Sequence, residues 1–163
     1  MQQGEDRPSV IRHATIELEV HFPSERGEVW NTLTNHMPRW IPKTYYSLPT
    51  SKRMVFERKI GGNVYEAGDH GSGLVWFQIT AMIPDTHIAF KGYLFPAWGG
   101  PGVSFLTFDL SQTTSGCKLL LTDQAIGVIT ADTENTWRNG WKDLITNHLY
   151  PYLINFYNRV ELK

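Results

Sequence analysis

Asp123 is the first of three ionisable side chains that could do acid–base chemistry. It follows Leu119 and Leu121 at alternate positions, so in a strand all three share one face. If that face turns inward, burial raises the pKa of Asp123 and makes it a candidate acid or base. Alternatively, Asp123 is a hydrated carboxylate at a frayed strand end.

His148 and Glu66 are the other two candidates. His148 lies seven residues after Trp141 on the apolar stripe of the last predicted helix, where a histidine can bind a ligand or transfer a proton. The position equally suits a histidine packed at the rim of the core. Glu66 lies in a predicted strand. A cyclase- or hydrolase-like enzyme would use these three residues.

Motifs of other catalytic sites are missing from the sequence. Gly71-Ser72-Gly73 is not a nucleophile elbow, which needs Gly-x-Ser-x-Gly between strand and helix. There is no His-Glu-x-x-His and no Cys-x-x-Cys. His13 and His21 lie on one strand about 26 Å apart and cannot share a metal ion. We therefore predict no metal site and no cofactor.

Aromatic residues make up 13% of the chain and include six Trp, which favours an aromatic cavity for a small ligand. Trp40 lies between two prolines and Trp98 lies in a Gly/Pro-rich loop, so both are predicted gates. Alternatively, each packs beneath its own loop. The other predicted ligand contacts are inward-facing strand and helix positions: Phe77, Ile79, Phe90, Phe108, Leu121, Trp137 and Ile145.

A run of strands must position these side chains. Residues 15–22 alternate apolar and polar side chains, as a half-buried strand does. Two short helices should follow, the first capped by Ser24 and ending near Asn35. Six further strands are predicted over 54–60, 63–67, 74–83, 86–95, 103–110 and 118–125. Their short connections require antiparallel pairing.

The last segment changes to a helical period. The helix should begin at a cap provided by Asp132 or Thr133 and run to about Asn158, with a kink at Pro151. Its apolar stripe comprises Trp137, Trp141, Leu144, Ile145, His148 and Tyr152. About 28 Å of helix before the kink can cover one sheet face. Because the sheet twists, a wedge of space should remain beneath the helix.

Several short motifs occur together in a characteristic order. They are Trp30, Gly61-Gly62, Gly71-x-Gly73, Ile83-Pro84, Thr107-Phe108-Asp109-Leu110, Leu119-x-Leu121-x-x-x-Ala125-x-Gly127 and Gly140-Trp141. Over roughly residues 12–158 the chain resembles the START-like (SRPBCC) superfamily. Within it, the chain is similar to homologues of the activator of the ninety-kilodalton heat-shock protein ATPase. Similar chains often carry His where this one has Asp123, so no role of that His transfers.

The resemblance implies an α+β helix-grip fold, with a curved antiparallel seven-stranded sheet wrapped around a long C-terminal helix. It does not imply one function, because the superfamily includes carriers, cyclases, hydrolases and chaperone partners. We expect a disordered lead-in over residues 1–10 and a single helix-grip domain over 11–163.

Composition limits the kinds of binding partner and the cellular location that we expect. A formal net charge of −1, without a Lys/Arg cluster, argues against nucleic-acid binding. Cys117 is the single cysteine, so no disulfide forms within the chain and a cytoplasmic location is expected. No apolar run is long enough to span a membrane.

The leading hypothesis is therefore that a small hydrophobic or aromatic molecule binds between the sheet and the C-terminal helix. The first alternative is an enzyme acting on such a molecule. The second is a protein-interaction module that stimulates a chaperone ATPase, which would need an exposed patch outside the cavity.

Overall fold

The computed structural model describes residues 10–96 and 99–161, with side chains as far as residue 158. Within these residues, seven strands form one antiparallel sheet in the order β1-β7-β6-β5-β4-β3-β2. The strands are β1 (Arg12–Phe22), β2 (Ser51–Phe56), β3 (Asn63–Gly68), β4 (Gly73–Ile83), β5 (His87–Leu94), β6 (Gly102–Thr113) and β7 (Gly116–Gly127).

The helices complete the predicted architecture. Two short helices follow β1, namely α1 (Arg26–Thr34) and α2 (Met37–Trp40). The C-terminal helix comprises α3 (Ala131–Asp143), a π-helical turn (Leu144–Leu149) and α4 (Tyr150–Glu161). The predicted α+β helix-grip fold is confirmed. The lead-in over residues 1–10 lies outside the described residues except for Val10, and the single domain over 11–163 stays a prediction.

Strand β2 differs from its predicted range of 54–60. It begins at Ser51 and ends at Phe56, because residues 57–62 form the turn into β3. In that turn the Gly62 amide donates to the Lys59 carbonyl at 2.9 Å, and Gly61 has a φ of 76°. The hydrophobic Ile60 at the end of the predicted strand is 60% exposed.

The two helix caps also differ from the predicted ones. Helix α1 begins after Glu25, and the Glu25 amide donates to the Glu28 carboxylate at 3.1 Å. Helix α3 is capped by Thr130, whose hydroxyl accepts from the Thr133 amide at 3.1 Å. Ser24, Asp132 and Thr133 are therefore not the capping residues.

Pro151 is the second residue of α4, two positions after the end of the π-helical turn. Proline has no amide hydrogen and its ring crowds the preceding turn, so a locally wider turn relieves the conflict. The wider turn shifts the buried face by one residue. Leu149 and Leu153 are wholly buried, whereas His148 and Tyr152, placed on the predicted stripe, are only half-buried.

The core lies between the inner sheet face and the C-terminal helix. The Phe90 and Phe108 rings meet edge to face with centroids 5.6 Å apart. Trp141 stacks on Phe77 and meets Phe108 edge-on, with centroids 6.2 and 6.0 Å apart. Aromatic side chains bury large areas and prefer these arrangements, so α3 is held firmly on β4–β7.

Candidate functional site

A row of small side chains crosses four strands on the inner sheet face. Gly92, Ser104, Ala125 and Ala14 lie opposite one another in register on β5, β6, β7 and β1. A Cβ atom at Gly92 would lie 2.6 Å from the Ser104 hydroxyl and 2.7 Å from the Phe77 ring. The Phe77 ring therefore packs directly over Gly92, and of these four residues Ser104 alone lines a cavity.

A cavity of about 200 Å³ lies beside this row. Its walls come from β4–β7, from the first turns of α3, and from the segment between α2 and β2, which we call the strap (residues 41–50). Five of the nine lining residues are aromatic. The lining comprises Tyr45, Ser47, Trp76, Phe77, Tyr93, Leu94, Ser104, Asp123 and Trp137.

A β-bulge brings two consecutive aromatic residues to this cavity. Successive residues of a regular strand point to opposite faces. Between β3 and β4, however, Val64 pairs with Phe77 and Tyr65 pairs with Val75, so Trp76 has no partner in β3. The extra residue lets Trp76 and Phe77 both line the cavity.

Asp123 is a buried carboxyl in the cavity wall. Its side chain has no exposed surface, and its Oδ2 accepts a hydrogen bond from Trp141 Nε1 at 2.8 Å. Its Oδ1 has no hydrogen-bond partner among the described residues. Burial raises the pKa of Asp123 to about 7, although the nearby polar groups of Trp141, Trp137 and Ser104 oppose this effect.

Glu66 is an equally buried carboxylate with a different environment. It accepts from the amides of Ser47 and Leu48 at 2.6 and 3.0 Å, from the Ser51 hydroxyl at 2.5 Å and from Trp76 Nε1 at 2.8 Å. Burial alone would raise the pKa of Glu66, but these hydrogen bonds outweigh burial and lower it. Glu66 thereby joins the strap to the bulged region of the sheet.

A second carboxylate joins the strap to α3. The Tyr45 hydroxyl donates to Asp143 Oδ2 at 2.6 Å, and His148 Nε2 lies 3.3 Å from the same oxygen. Burial first, and then the Asp143 carboxylate, raise the pKa of Tyr45 to about 12. Tyr45 therefore stays a neutral donor at the cavity wall.

The three predicted acid–base candidates lie in three different places in the structure. Asp123 lines the cavity. Glu66 lies behind Ser47 and Trp76, which donate to it, and His148 lies beside Asp143. Of the three, Asp123 alone combines a place in the lining with an oxygen that lacks a partner among the described residues.

The predicted ligand contacts are divided between the cavity and the core. Phe77 and Trp137 line the cavity. Six others are at most 3% exposed and are absent from the lining: Trp40, Ile79, Phe90, Phe108, Leu121 and Ile145. Trp40 donates from Nε1 to the Thr32 carbonyl at 2.9 Å, inside the α1–α2 unit. Trp98 lies outside the described residues.

Sequence reasoning missed six lining residues. These are Tyr45, Ser47, Trp76, Tyr93, Leu94 and Ser104. Ser104 is a signal that the sequence contains, because it is a small residue next to the large inward residues Leu106, Phe108 and Leu110 of β6. Using it requires the strand register, which the sequence does not supply.

We also searched the described residues for membrane-spanning helices and for clusters of metal-binding side chains. None of the helices seen there combines the length and apolar character needed to cross a membrane. In that same part of the chain, no three His, Cys, Asp or Glu side chains cluster in a way that could hold a metal ion.

Comparison with known families identifies the fold family. The family described as "Activator of Hsp90 ATPase homolog 1-like protein" matches residues 23–153. The chain belongs to this family. The predicted resemblance to the START-like superfamily is thereby confirmed. The sequence has no match among curated proteins.

Solved structures of the same fold come from several bacteria. Protein MLL2253 from Mesorhizobium loti is 18% identical, with a TM-score of 0.62 over 87% of this chain and 97% of its own. An uncharacterised protein from Rhizobium leguminosarum is 17% identical, with a TM-score of 0.65 over 90% and 97%. A protein of unknown function from Staphylococcus aureus is 13% identical, with a TM-score of 0.60 over 91% and 98%. At such identities the likeness shows the fold alone.

Replacing Glu66 tests its role as the anchor of the strap. We expect Glu66→Gln to lower the free energy of unfolding by about 2 kcal/mol at neutral pH, because the amide cannot accept all four hydrogen bonds. The pKa of Glu66 is lowered in the fold, so its contribution is present above the ordinary carboxyl pKa and is lost as the pH falls through the lowered value. Urea unfolding across pH measures this difference. Glu17→Gln, on the exposed face of β1, is the matched control, and an equal loss in both variants would contradict the assignment.

Replacing Asp123 should have the opposite effect on stability. Its pKa is raised in the fold, so wild-type stability falls as the pH rises from the ordinary carboxyl range to about 7. We expect Asp123→Asn to be more stable than wild type at about pH 8, with the gain vanishing near the ordinary pKa of about 4. The measurement is again urea unfolding at several pH values. A gain in stability that does not depend on pH would contradict the assignment of Asp123 as a buried carboxyl with a raised pKa.

Proposed function

We propose that this protein binds a small hydrophobic or aromatic molecule in the cavity between the sheet and the start of α3. The single observation that supports this is the cavity of about 200 Å³ with five aromatic lining residues. Apolar cavities of about 150 Å³ can hold benzene. The cavity therefore suits one aromatic ring or an aliphatic group of similar size.

The energetics favour a weak to moderate complex. A single ring that loses roughly 200 Å² of apolar surface gains about 5 kcal/mol. Part of this gain is lost to the translational and rotational freedom given up on association. Because the lining residues already enclose a space of this size, little rearrangement is needed to admit the ring.

Filling the cavity tests this function. Trp76 and Trp137 line the cavity, so we expect monocyclic aromatic ligands to change the intrinsic tryptophan fluorescence in a saturable way. Ser104→Leu should abolish the change by occupying the space, and Ser104→Val is a milder variant with the same expected direction. Ser111→Leu, on the same strand but exposed, is the matched control. Unaltered binding in a Ser104→Leu variant that keeps its circular dichroism spectrum would disprove this location.

An enzyme acting on such a ligand is a second candidate. The observation in its favour is Asp123, whose pKa of about 7 suits a general acid or base near neutral pH. Glu66 and His148 are engaged away from the cavity lining, so a cyclase- or hydrolase-like reaction would rely on Asp123 and the bound molecule. Among the described lining residues Asp123 is the single Asp, Glu or His, which supports binding more strongly than two-group catalysis.

A chaperone partner is the third candidate, and the family description supports it. The outer sheet face carries exposed apolar side chains, of which Phe105 and Ile126 are each 52% exposed. A patch of this kind suits contact with another protein. The expected cytoplasmic location agrees with such a partner and likewise remains a prediction.

The third candidate is tested by mixing the protein with a ninety-kilodalton heat-shock protein and measuring ATP hydrolysis. If the outer face makes the contact, the wild-type chain raises the rate and Phe105→Ser removes most of that increase. Ile60→Ser changes an exposed apolar residue in the turn before β3 and should leave the increase intact. An unchanged rate on adding the wild-type chain would dismiss this candidate.

A further inference from the structure

The cavity wall holds a carboxyl group that no basic side chain of the described residues pairs with. Asp123 is wholly buried, yet none of the ion pairs among the described residues includes it. Trp141 satisfies Oδ2, whereas Oδ1 has no partner in the described part of the chain. A buried carboxylate is costly unless it is paired and hydrogen-bonded. The site is therefore complementary to a ligand that brings a donor and a positive charge.

Glu66 shows what this fold does with a carboxylate that serves structure alone. Its two oxygens receive four hydrogen bonds, two from amides of the strap, one from Ser51 at the start of β2 and one from Trp76 at the bulge. Asp123 likewise has no exposed surface but receives one hydrogen bond, and the nearby polar groups of Trp137 and Ser104 leave its Oδ1 without a partner among the described residues. The contrast indicates that the open oxygen of Asp123 serves something outside the protein's own packing.

The remaining lining adds a second feature that suits a cation. Tyr45, Trp76, Phe77 and Trp137 present aromatic rings around the space, and the described residues of the lining include no Lys, Arg or His. Aromatic faces carry partial negative charge and attract ammonium groups, more strongly when water is excluded. A lone carboxylate inside an aromatic enclosure is thus a site for an organic cation.

We propose that the ligand of this cavity is a small protonated amine with a single ring or similar apolar group, whose ammonium donates to Asp123 Oδ1. This inference rests on the proposed function. The apolar part occupies the space between the aromatic lining residues, and the ammonium pairs with the Asp123 carboxylate. A charge-assisted hydrogen bond to a buried oxygen is stronger than a neutral one. Anionic ligands of the same size are repelled.

Four probes of equal size test the proposal by calorimetric titration at neutral pH: benzylamine, benzyl alcohol, toluene and benzoate. In wild type we expect benzylamine to bind about tenfold or more tightly than benzyl alcohol or toluene, and benzoate to bind least. In Asp123→Asn the preference for benzylamine disappears while toluene still binds. Asp109→Asn, which alters a carboxylate paired with His87 on the outer face at 2.6 Å, should leave the wild-type order unchanged.

The outcomes separate this inference from the proposed function. If benzyl alcohol or toluene binds as well as benzylamine in wild type, the amine assignment is wrong while the cavity function stands. If none of the four probes binds, the proposed function itself fails. The order of the probes in wild type is sufficient to decide, so the test holds even if Asp123→Asn does not fold.

Discussion

The close packing of the inner sheet face against the C-terminal helix is the constraint on which the other features depend. Large side chains such as Phe90, Phe108 and Trp141 interdigitate there and fix the position of α3 over the sheet. Beside these rings, between α3, the strap and β4–β7, the same rigid frame leaves the cavity open. The shape of the cavity is therefore defined by the packing of the fold before any ligand arrives.

Two buried carboxylates show how the same chemical group acquires different properties in one small protein. Four donors surround Glu66, so ionisation is favoured despite burial and the strap is held in place. One donor reaches Asp123 directly, and burial dominates. The first contributes to the architecture around the cavity, whereas the second gives the cavity its chemical character.

Much of the fold could be predicted from the sequence because strand alternation and short turns are local signals. The antiparallel order, the two early helices and the long last helix all follow from such patterns. The site could not be predicted equally well. The pairing of Gly92 with Ser104, and the bulge that turns Trp76 inward, depend on contacts between residues far apart in the chain. The predicted strand alternation showed which residues face inward. It therefore identified core residues such as Phe90 and Leu121 more readily than it identified the residues that line the cavity.

The wide turn at Leu144–Leu149 has a consequence for how the last helix can vary. The wide turn changes the rotation of α4 about the helix axis relative to α3. The face of α3 that covers the cavity therefore does not determine which face of α4 packs near α1. On the α4 side, Tyr157 accepts a hydrogen bond from Asn31 of α1 at 3.1 Å and Tyr150 stacks on Phe22. Substitutions in α3 that alter the cavity lining can consequently leave the packing of α4 on α1 and β1 in place. The cavity side and the anchoring side of this helix are thus separable within one continuous segment.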